Sequence, residues 1–150
     1  MVITQRLGLR YINALQPQPG EEFGSIFKEQ LVGFGDDFAG VQNSNVQLFF
    51  QGNTDEGMLT VRVIQPPVGL GQGAPLPVLP FDLSTQLTVS STVDVQRKFR
   101  FLDLDHSAAV EQELTAVTLL PILARLHDKI EEAFLSSVNQ AAYDRWASQG

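Results

Sequence analysis

Two aspartates two residues apart, followed at once by a histidine, are the side chains of this chain with the most obvious chemical potential: Asp103, Asp105 and His106 in the segment FLDLDHS. Residues i and i+2 of a strand point to one side, so the two carboxylates would share a face. The imidazole beside them could complete a site for a hard cation or for acid–base work, as in a metal-dependent or hydrolytic enzyme. A structural reading competes with this one. Asp105 or Ser107 stands where a helix N-cap is needed, and Glu111 and Glu113 follow where negative charge favours a helix N-terminus. The capping reading is preferred, with a strand ending and a helix starting here, and neither a metal nor a cofactor is expected.

Other chemistry is narrowed by what the chain lacks. It has no cysteine, which removes thiol catalysis, disulfides, iron–sulfur clusters and cysteine-ligated zinc. His127, next to Asp128, is the second of only two histidines, so one chain cannot assemble a multi-histidine site. No G-x-S-x-G elbow supports a Ser-His-Asp triad. The glycines of VGLGQGAP lack the Lys-Ser/Thr and the helix start of a phosphate loop.

Arg6, Arg10, Arg62, Lys98 and Arg100 form a second candidate set. Each occupies a strand position opposite the apolar face if Phe99 and Phe101 point inward, so a suitable strand order would gather them on one sheet surface. Such a surface is ordinarily a solvated outer face. Its functional reading is a docking site for a protein partner or a small anionic ligand, single-stranded nucleic acid included, with Phe49 as an aromatic platform. A net charge of −7 and a pI near 4.6 argue against double-stranded nucleic acid as the main partner.

The elements that must position these residues follow from hydrophobic period. Leu7, Leu9 and Tyr11 alternate with Arg6, Gly8 and Arg10, a half-buried strand. Phe23, Ile26, Phe27, Leu31 and Phe34 recur at helical steps and predict a short helix ending at Gly33 or Gly35. Val46, Leu48 and Phe50, then Leu59, Val61 and Val63, alternate on either side of QGNTDEG and predict a β-hairpin. Residues 66–80 hold five of the eight prolines and read as a loop. Phe81, Leu83, Leu87 and Val89 predict a fourth strand, and Val95 to Asp105 a fifth. In the fifth, Phe99 and Phe101 fall on one face and Leu102 and Leu104 on the other. Either both faces are covered or a bulge shifts the register near Phe101, and the bulge is favoured.

From Ala108 the pattern is helical. Val110, Leu114 and Val117 begin a stripe, Pro121 breaks or restarts it, and Ile122, Leu126, Ile130, Phe134 and Val138 continue it at four-residue spacing. Two helices or one kinked helix fit. Asn139 could cap a further turn carrying Tyr143 and Trp146. The whole predicts one α+β domain over 1–150, β-rich over 1–105 and helical over 108–148. An antiparallel sheet of four to five strands would pack on a long C-terminal helix, in a helix-grip-like two-layer sandwich. At 150 residues the chain is long enough to bury an adequate core without staples. With no apolar run approaching the roughly 18 to 20 residues of a membrane span, and no signal-peptide pattern in MVITQRLGLR, a cytoplasmic protein is expected.

The segments LGLRYINAL, LDLD and LHDKIEEAFLSSVNQ carry a family resemblance. Through Arg10, Tyr11, Ile12 and Asn13, through Asp103 and Asp105, and through His127 and Phe134, the chain resembles a sporadically distributed, uncharacterised family of prokaryotic proteins. Members show an R-Y-I-N strand in mid-chain and a terminal helix with L-H and then a Phe followed by Ser or Thr. The resemblance brings no activity with it. It implies that this chain matches a C-terminal domain, and that surface covered by a preceding half would lie open. The functional expectation is a non-enzymatic binding or interaction module that forms a homodimer. The alternative is the enzyme centred on Asp103, Asp105 and His106.

Overall fold

Three segments of alternating apolar residues and one buried on both faces pair into one antiparallel sheet. The computed structural model describes residues 5–33, 38–40, 45–69, 93–111 and 113–148. Within them, β1 (Gln5–Leu15), β2 (Val46–Asn53), β3 (Met58–Gln65) and β4 (Arg100–Val110) lie in the order β1-β4-β3-β2. The fourth strand expected over 81–89, and the loop beyond Gly69, lie outside the described residues.

β4 is central and differs from the expected fifth strand at both ends. It pairs with β1 without interruption from Gln5↔Val110 to Leu15↔Arg100, so the expected bulge does not form. Both faces are covered instead. Leu102, Leu104, Ala108 and Val110 point to the helical layer, while Phe101 packs with Ile64, Phe99, Val93 and Val95 on the other side. A strand buried on both faces shows no alternation, and this is why its period is ambiguous in sequence.

The same continuity moves the helix start. Ala108 and Val110 are strand residues, and helix α1 (Ala116–Ser137) begins later. Its cap is Thr115, whose hydroxyl accepts from Thr118 N at 3.3 Å while Thr115 N donates to Thr118 Oγ1 at 2.9 Å. Neither Asp105 nor Ser107 caps it. Pro121 lies inside this one helix. The buried stripe is Ile122, Leu126 and Ile130, whereas Val117, assigned to that stripe from its spacing, is 82% exposed. Asn139 precedes α2 (Gln140–Ala147) but makes no side-chain cap. No described helix is long and apolar enough to cross a membrane.

The expected short helix resolves into two 3-10 turns, Phe23–Ser25 and Glu29–Leu31. Tertiary pairing interrupts it: Phe27 bridges Val138, Lys28 N donates to Ser137 O at 3.0 Å, and Asn139 N donates to Ile26 O at 2.7 Å. Gly33 follows at φ +71°, a left-handed end to the segment as expected. Phe23, Ile26 and Phe27 thereby close the core against β1, β3, β4 and the α1–α2 junction. The β2–β3 turn runs against the C-terminal part of β4, and a Cβ at Gly57 would stand 2.1 Å from the Ser107 carbonyl oxygen. Glycine is required there by close approach.

Candidate functional site

The strand pleat separates the three residues of FLDLDHS. Asp103 and Asp105 share the outer sheet face, but His106 points into the helical layer, fully buried. Its Nδ1 lies 3.3 Å from Leu126 O and its Nε2 2.8 Å from Thr54 Oγ1. A carbonyl only accepts, so Nδ1 donates to Leu126 O, while Nε2 is hydrogen-bonded to the Thr54 hydroxyl. Both ring nitrogens are thereby used in joining the β2–β3 turn to α1. The convergence that an acid–base or cation site needs is not formed by these three side chains.

Asp103 is engaged with arginine. Arg10 grips it through two contacts, Nε to Oδ1 at 2.7 Å and Nη2 to Oδ2 at 2.6 Å, and Arg62 Nη1 approaches Oδ2 at 3.4 Å. The carboxylate is 1% exposed while both arginines keep partial contact with solvent. Arg6 donates to Ser107 Oγ at 2.9 Å.

The predicted basic face is therefore assembled only in part. Arg6, Arg10 and Arg62 share it, together with Phe49, whose ring centroid lies 5.6 Å from the Arg62 guanidinium carbon. Arg100 does not belong to it. Because Phe101 takes the outer face, Arg100 points the other way, donating to Gln65 Oε1 at 3.0 Å and to the carbonyls of Leu31 and Val32 at 3.2 and 2.7 Å, with its guanidinium 4.0 Å from the Phe23 ring centroid. It thereby caps the Leu31 and Val32 carbonyls at the C-terminal end of the second 3-10 turn. Lys98 lies ahead of β4, half-buried, where Gln16 Nε2 reaches its carbonyl. With Asp103 and Asp105 on the same surface, little net charge remains there for an anion.

A larger concavity opens on the helical side. α1 packs over β4 and β1, so among the described residues the helix-side faces of β3 and β2 stay partly uncovered. The resulting groove of about 630 Å³ has a floor of Leu48, Phe50, Leu59 and Val61, with Leu31 and Ala133 as apolar walls. Lys28, Lys129, Glu132 and Ser136 stand at its rim. Lys129 is hydrogen-bonded to Glu132, which raises the lysine pKa. In sequence the floor residues show only the apolar face of a hairpin. Nothing in their spacing says that the helix would leave them bare.

Among the described residues, His127, Asp128 and Glu131 form a further group able to hold an ion, with ligand atoms all within 4.8 Å of one another. All three are exposed, and the imidazole also stands edge-on to Tyr11, so a cation there would retain most of its water.

Comparison with known proteins finds no matching family model, no matching curated protein and no matching solved structure. The site is read from its own geometry.

Proposed function

We propose that this protein is a non-enzymatic, cytoplasmic binding module whose ligand site is the groove between β2–β3 and α1. One observation carries the reading: among the described residues the helix packs on β4 and β1, and the helix-side face of β3 and β2 forms an apolar concavity with a sparse polar rim. Pockets of this size, mostly apolar with a few placed polar groups, suit small molecules. A curved sheet gripping a terminal helix, the helix-grip reading of the fold, would place a ligand in this space.

The lining favours an amphipathic ligand with an apolar body and an anionic head. Leu48, Leu59 and Val61 would take the body, and Lys28 at the rim, with Ser136 as hydroxyl donor, would take the head. The resemblance to the R-Y-I-N family adds no activity to this reading.

Decanoate, titrated calorimetrically, tests it. Binding is expected in the range of about 1–100 μM. Ser136→Trp, an exposed wall position, should fill the groove and abolish binding without unfolding the chain. Absence of binding to the natural sequence, or equal binding to the tryptophan variant, would sink the reading.

A further inference from the structure

Among the described residues, the outer flank of the groove is an unpaired strand edge. β2 is terminal in the sheet among the described residues, and its eight residues, VQLFFQGN, contain no charge and no proline. Soluble proteins ordinarily blunt such an edge with lysine, proline or a bulge. Here the β2–β3 ladder is regular from Val46↔Gln65 to Asn53↔Met58. Phe49 and Phe50, on opposite faces, are 63% and 60% exposed.

We propose that β2 pairs antiparallel with β2 of a second copy of this chain, joining two four-stranded sheets across a two-fold axis. The inference is independent of what the groove binds. An edge presents backbone N–H and C=O groups in strand geometry, and only another strand satisfies a row of them. The residue pattern points to self-pairing. A two-fold axis perpendicular to the sheet keeps each residue on its own face, so a residue can meet only partners of its own parity.

Centring the axis on Phe49 sets Phe49 against the partner's Phe49 and Leu48 against the partner's Phe50. Gln47 then meets the partner's Gln51, where side-chain amides can both donate and accept. From Gln47 to Gln51 apolar faces apolar and polar faces polar, and no like charges oppose each other. Centring on Phe50 instead would set Leu48 against glycine and Phe49 against glutamine. The Phe49-centred register is therefore the one assigned.

The chain has no cysteine, so single cysteines report the contact cleanly. Directly opposed residues in an antiparallel pair have Cα atoms roughly 4.5–5.5 Å apart, within disulfide range. Phe49→Cys should oxidise to a covalent dimer. Gln47→Cys and Gln51→Cys should crosslink when mixed and far less when alone. In sedimentation over roughly 1–100 μM, the natural chain should dimerise reversibly. Phe49→Lys should weaken the dimer at least about tenfold by opposing two like charges. Val117→Lys, on the exposed helix face, should leave it unchanged. A monomer throughout that range, a dimer indifferent to Phe49→Lys, dissociation by Val117→Lys, or crosslinking of Val117→Cys as efficient as that of Phe49→Cys would each overturn the proposal.

Discussion

Asp103 and His106, three residues apart in β4, lie on opposite faces of the sheet: Asp103 is gripped by Arg10 on the outer face, and His106 is held under α1. Both are almost fully buried and both bridge distant segments. Each is a joint of the fold, and each gives a measurable expectation.

His106→Ala removes a ring hydrogen-bonded to the Leu126 carbonyl and the Thr54 hydroxyl, and leaves a cavity beneath the helix. The loss should be about 2–4 kcal/mol, read as a lower denaturant midpoint. His106→Gln should recover part of it, because an amide can still donate and accept. Full stability of the alanine variant would contradict the clamp.

Asp103→Ala leaves two guanidinium groups around a vacated, buried position. A loss of about 2–4 kcal/mol is expected from chemical denaturation. Arg62→Ala should cost less than Arg10→Ala, since Arg62 gives Asp103 a single, longer contact at 3.4 Å where Arg10 gives two. Equal costs for the two would show that the bidentate grip is not the dominant interaction.

The start of α1 is assigned to Thr115. Thr115→Ala should destabilise the protein by about 1 kcal/mol through loss of the cap. Asp105→Ala, a change in mid-strand well before the helix, should show no capping effect. Reversal of this order in thermal melts would restore Asp105 as the capping residue.

Arg145 donates to Glu21 at 2.9 Å, tying α2 to the segment after β1, and this hydrogen bond holds the Glu21 carboxyl below the ordinary glutamate value of 4.5. A carboxylate with a lowered folded-state pKa contributes stability above its unfolded pKa, and loses it as pH falls through the folded value. Glu21→Gln should therefore lower the melting temperature slightly at neutral pH and lose its effect in acid. A difference that persists undiminished to pH of about 2 would assign the effect to something other than this ionisation.

Much of the local structure was legible in the residue pattern. Period-2 alternation located β1, β2 and β3, and four-residue spacing found the buried Ile122, Leu126 and Ile130, because these patterns record a one-sided burial that each element carries within itself. The limits of β4 and α1 were not legible. β4 is covered on both sides, so Phe101 and Leu102 read as a register fault, and a strand that continues through Val110 resembles the opening of a helix. The same ambiguity misplaced Arg100 with the basic face and drew Asp103, Asp105 and His106 into one cluster, since a side chain's face depends on what covers it from elsewhere in the chain. The strand order and the position of α1 over β4 and β1 alone left the groove on β2 and β3 open. Those are outcomes of long-range packing, a competition among distant apolar surfaces that no local spacing encodes.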